Sequence, residues 1–91
     1  MYAVVVRETG EQEKLDASGP YLEANLLPRV RQTPGFVSGV WLTDKAGRTL
    51  NVLVFESEEA AGSALEMARN APRPGFMRFE SAEIYAVRAR A

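Results

Sequence analysis

The chain has 91 residues, enough for one domain, and 46% of them are hydrophobic. Its 11 Lys and Arg against 12 Asp and Glu leave a net charge of −1, so no basic field exists to hold nucleic acid or an anionic membrane. There is no Cys and no His, which removes disulfides, thiolate and imidazole metal sites, thiol nucleophiles and the usual general base near neutral pH.

Tyr2 to Arg7 is Val-rich and stops at Thr9-Gly10, which predicts a first strand. The run is too short to span a membrane and lacks the positive flank of a signal peptide, so a cytoplasmic location is the default expectation. Glu11 to Ala17 is polar and reads as an irregular lead-in. Ser18 then predicts a helix cap, with Pro20 in the first turn. Leu22, Leu26 and Val30 recur at fours with Leu27 beside them, giving one apolar helix face. Pro28 deprives the Ala24 carbonyl of its partner, so a kink or break is expected there. The helix must end by Thr33, because Pro34-Gly35 follows.

Phe36 to Thr43 predicts strand two, Asp44 to Gly47 a turn, and Arg48 to Glu56 strand three. Strands joined this tightly form an antiparallel hairpin. Ser57 caps a second helix with Glu58 and Glu59 at its positive end, and Ala60, Ala61, Ala64, Leu65 and Ala68 give it a face of mostly small residues. Asn70 to Gly75 is a loop. Phe76 to Arg88 is a last strand long enough to call for a bulge or a bend.

The order βαββαβ predicts a single ferredoxin-like α+β domain over residues 1–91, with a four-stranded antiparallel sheet and both helices on one face. The other face is the difficulty. In strand three Leu50, Val52 and Val54 point one way while Leu53 and Phe55 point the other. A half-solvated sheet alternates polar with apolar, and this one does not. A second sheet must cover the remaining face, and the simplest supplier is another copy of the chain. A homodimer at micromolar concentration is therefore predicted.

The segments Pro34-Gly35-Phe36-Val37-Ser38-Gly39-Val40-Trp41-Leu42 and Leu50-Asn51-Val52-Leu53-Val54-Phe55-Glu56-Ser57 resemble the antibiotic-biosynthesis-monooxygenase-like group of dimeric α/β barrels. The resemblance implies a homodimer whose two sheets form a barrel, with a ligand cavity between each sheet and its helices. Some members oxygenate polycyclic aromatic substrates without metal or flavin, and some degrade haem. Haem-degrading members hold iron with a His alongside an Asn and a Trp; this chain has Asn51 and Trp41 but no His, which rejects the haem reading. The cofactor-free oxygenases use Asn, Trp, Tyr and Arg in their cavities, residue types present here at Asn51, Trp41, Tyr85 and Arg78.

On that resemblance Asn51 and Arg78 become the candidate catalytic pair, one donating to a substrate oxygen and the other stabilising an anion. Trp41 and Tyr85 become the candidate aromatic walls. Each also has a plainer reading. Trp41 serves as a core or interface aromatic, Asn51 as a hydrated edge amide, Tyr85 as an apolar body with a wet hydroxyl, and Arg78 as a surface partner of Glu80. Leu50 and Val52 stand where an RNA-binding sheet needs stacking rings. No tightly held metal, haem or flavin is expected. The implied function is small-molecule binding, extending to cofactor-independent monooxygenation of an aromatic compound. The alternative is a non-catalytic dimerisation or ligand-sensing module.

Overall fold

The computed structural model describes residues 1–91. Its four strands are β1 (Tyr2–Gly10), β2 (Phe36–Thr43), β3 (Arg48–Phe55) and β4 (Met77–Ala86). They form one sheet in the order β2-β3-β1-β4, with every neighbouring pair antiparallel. This is the split ferredoxin-like arrangement predicted from the element order. β1 is central, and its inward residues Val4 and Val6 are buried in the core with Phe55, Ala61 and Ala82.

The helix α4 (Glu58–Asn70) starts as expected: the Ser57 hydroxyl accepts the Ala60 amide at 3.1 Å, and Glu58 and Glu59 lie in the first turn. Ala61 meets the core fully buried, with Ala60, Ala64, Leu65 and Ala68 packed around it. Alanine is what lets the helix backbone come this close to the sheet. The bulge also appears. β4 pairs Ser81 with Arg7 but Phe79 with Glu8, leaving Glu80 as the extra residue. The extra residue resets the alternation, so Phe79 and Ala82 both pack inward.

Residues 11–31 depart from expectation. Glu11 to Ala17 is not an irregular lead-in but holds a helix, α1 (Gln12–Ala17). Its one large apolar residue, Leu15, is buried, and the Gln12 Oε1 accepts the Gly47 amide at 2.8 Å, so tertiary contacts make this polar segment helical. Ser18 does not cap the start of the next helix; its hydroxyl donates to the Leu15 carbonyl at 2.7 Å, closing α1 instead. The chain continues through α2 (Gly19–Tyr21), a π-helical turn (Leu22–Leu26) and α3 (Leu27–Arg31). Pro28 does not break this run. The Leu27 amide reaches back five residues to the Leu22 carbonyl, and the widened turn absorbs the proline within the first turn of α3.

The hairpin turn between β2 and β3 is set by Asp44, whose carboxylate accepts the amides of Ala46 (2.8 Å) and Arg48 (2.9 Å). The Arg48 backbone bond, then that of Ala46, hold the Asp44 carboxyl below its ordinary range. A depressed carboxyl stabilises the turn above its unfolded pKa, and that contribution is lost as pH falls through the folded one. Gly47 has φ +78°, and a Cβ there would lie 2.3 Å from the Gly10 carbonyl oxygen. Gly47→Ala should therefore cost about 2 kcal/mol from the left-handed backbone and the displaced strand end. A urea melt reads this as a lower midpoint at unchanged slope.

Candidate functional site

The helix-facing side of the sheet divides into two regions. Near the Tyr2 end, α4 closes over Val4, Phe55 and Ile84. The apolar face of residues 19–31 does not join that core; Leu22, Leu26, Leu27 and Val30 are only half-buried. Between this helical stretch and the β2 edge runs an open cleft of about 640 Å³, bounded by Leu22, Leu27 and Val30 above and by Phe36, Gly39 and Trp41 below, and reaching round the edge strand to Val40 and Leu42. Its volume is that of an ordinary small-molecule pocket. The Trp41 indole lies back over Gly39, where a Cβ would come within 3.1 Å of two ring carbons. A glycine opposite the ring is what lets the indole lie flat as part of the cleft.

Beside Trp41, in register across β2 and β3, stands Asn51. It is the first of three linked polar residues. The Asn51 amide nitrogen donates to Glu8 Oε1 at 3.2 Å, and Glu8 Oε2 receives Arg73 Nε. A carboxylate only accepts hydrogen bonds, which fixes the orientation of the Asn51 amide with nitrogen toward Glu8. The second Asn51 N–H and its carbonyl oxygen have no partner within the chain and remain available to a ligand. The plainer reading, a hydrated amide at a sheet edge, is replaced by a tethered one.

Arg73 comes from the loop between α4 and β4. Besides Glu8, it donates to the carbonyls of Ala68 (2.6 Å) and Ala71 (3.0 Å) at the end of α4, and it stacks 4.6 Å over the Phe79 ring. The ion pair is buried, with side-chain exposures of 16% for Arg73 and 8% for Glu8. Every nitrogen of the guanidinium is engaged. Sequence reasoning missed both residues. The signal was Glu8 itself, next after Val4 and Val6 on the inward face of a central strand, where a charge needs a partner.

The four residues expected from sequence separate into two pairs. Trp41 and Asn51 are cross-strand neighbours on the helix-facing side of the sheet, with Trp41 in the cleft wall and Asn51 just outside its lining. Arg78 and Tyr85 do not join them. Arg78 pairs with Thr9 on the strand face opposite Phe79 and is exposed; Glu80 accepts a bond from Thr9 at 3.2 Å and is not paired with Arg78. Tyr85 lies on the helix-free face, 47% exposed, with its hydroxyl donating to Glu83 at 3.3 Å. The guanidinium linked to Asn51, through Glu8, is that of Arg73, and the bulge at Glu80 leaves Arg78 pointing outward.

The helix-free face is apolar along β2, β3 and the middle of β1. Val5, Leu50, Val52 and Val54 are half-buried, and Val40 and Leu42 are 51% and 48% exposed. An Arg7–Glu83 ion pair at 2.9 Å stands among them. No helix of the chain is long and apolar enough to cross a membrane.

No protein-family model and no curated protein matches the chain. Two solved structures resemble it over nearly its full length. One is a monooxygenase from the ActVA-Orf6 gene of Streptomyces coelicolor, in complex with nanaomycin D; it is 17% identical with a TM-score of 0.62, over 99% of this chain and 89% of that one. The other is the haem degrader MhuD of Mycobacterium tuberculosis, with two haems bound in its active site; it is 22% identical with a TM-score of 0.53, over 97% of this chain and 98% of that one. At such identities the likeness is one of fold. The chain shares its ferredoxin-like α+β fold with both proteins, the fold that the resemblance carried by Pro34-Gly35-Phe36 and Phe55-Glu56-Ser57 implied.

Proposed function

We propose that the chain binds a flat aromatic small molecule in the cleft between β2 and residues 19–31, and that it acts there as a cofactor-independent monooxygenase. The observation that carries this reading is the cleft itself, about 640 Å³ with the Trp41 indole in its wall and a tethered amide, Asn51, in register beside it. The monooxygenase of like fold, crystallised with nanaomycin D, supports the choice of activity class. In this reading the helix-free face pairs with that of a second copy, since its valines and leucines have no other cover.

The chemistry is that of the substrate. An anthrone deprotonated at its activated carbon passes electrons to oxygen, and loss of water from the resulting hydroperoxide leaves a quinone. One oxygen atom enters the product and the other leaves as water. The protein's part is to orient the ring and favour the anion, and the second N–H of Asn51, beside Trp41 at the margin of the cleft, is the donor assigned to it in this reading. Oxygen uptake on anthrone by chelator-treated protein should exceed the uncatalysed rate by at least about 100-fold, and Asn51→Ala should remove most of that gain. Equal uptake with and without protein rejects the oxygenase.

A second reading, ligand binding without turnover, is favoured by a specific feature: the only acidic side chain on the cleft wall is Glu23, and Glu8 is already committed to Arg73 and Asn51. Ligand binding without oxygen uptake would select it.

A further inference from the structure

The cleft wall carries two charges, Arg31 and Glu23, and their placement is asymmetric. Arg31 ends α3, and only residues 32–35 separate it from Phe36 at the start of β2. The helical stretch therefore runs back along β2, with Arg31 at the Phe36 end. Glu23 and Arg31 are eight positions apart, about 12 Å along a helix. That exceeds the screening length of about 8–10 Å in ordinary buffers, so the two fields do not cancel. Neither residue forms an ion pair within the chain. The intervening wall is apolar, and Trp41 covers Gly39 in its middle.

We propose that this cleft selects aromatic carboxylates, with the ring against Trp41 and the carboxylate on Arg31. The inference deepens the reading of the cleft as a ligand site and rests on it. Dimensions favour a fused bicycle or tricycle: Gly39 is three residues beyond Phe36, about 10 Å of extended strand. A fused-ring acid of that length reaches from the indole to the Arg31 end, while a single ring does not. Arginine suits the task because its planar fork meets a carboxylate through two parallel bonds. Glu23 sets polarity, since an acid entering in reverse would put like charges together.

The test uses the only tryptophan in the chain, whose indole N–H gives one resonance. Protein is titrated with 2-naphthoate and with its neutral isostere, 2-naphthamide, following that resonance by nitrogen-proton correlation spectroscopy. The acid should bind about tenfold more tightly than the amide, the gain of one charge-assisted contact. Arg31→Gln should bring the two affinities together, the acid losing about tenfold more than the amide, and Arg31→Lys should restore part of the difference. Equal affinities in wild type, or a preference that survives in Arg31→Gln, overturn the charge selection while leaving the cleft as a ligand site. Failure of both compounds to move the indole resonance overturns the cleft reading and this inference with it.

Discussion

Arg73→Met should lower the melting temperature by at least about 12 °C. The substitution leaves the Glu8 carboxylate buried with only the Asn51 amide against it, and removing one partner of a buried pair costs about 3–5 kcal/mol. The end of α4 also loses its donors to the Ala68 and Ala71 carbonyls. A domain this size shifts by about 4–8 °C per kcal/mol, and its whole stability is about 5–14 kcal/mol. The apolar stem and sulfur of Met keep contact with Phe79, so the loss reports the charge and not the packing. The double variant Glu8→Leu with Arg73→Met should recover much of the loss, because an apolar pair has no desolvated charge to satisfy. Calorimetry of the four proteins in this cycle decides the matter. A single Arg73→Met variant melting within about 4 °C of wild type would show that the pair contributes little.

Wild-type protein should elute as a dimer, twice its 10.0 kDa chain mass, and Val52→Glu should return it to a monomer. Val52 is at the centre of the helix-free face, registered between Val5 on β1 and Val40 on β2. It is half-buried in the single chain, so a glutamate there reaches water and the fold survives. In a two-fold interface the change occurs twice, burying two unpaired carboxylates close to each other. The dissociation constant should rise at least about 100-fold, with unchanged far-ultraviolet circular dichroism. Light scattering after gel filtration measures both forms. A wild-type monomer with a cooperative melt would remove the dimer from the proposed function, and a Val52→Glu dimer would place the interface elsewhere.

Strand positions and faces were legible in the amino-acid sequence because a period of two is local information. Val4 and Val6 against Val5, and Leu53 and Phe55 against Val52 and Val54, carry their orientation in the alternation itself. Ser57 and Gly47 were legible for the same reason, each answering a backbone need within three or four residues. The α1 helix was not, since its stability comes from burial of Leu15 and a bond from Gly47 to Gln12, 35 positions apart in the chain. Nor was the side on which Arg78 would fall, because one bulged residue, Glu80, inverts the alternation of β4.

The sequence by itself determined the order of the four strands, the apolar surplus on both sheet faces, and the absence of imidazole and thiol chemistry. Tertiary structure alone decided which polar groups meet. Glu8, Asn51 and Arg73 lie at least 22 positions apart in sequence, and only strand pairing together with the turn after α4 brings their side chains into one buried cluster. No local pattern records a partner at that separation, because a buried charge constrains what must surround it without stating where in the chain the partner lies.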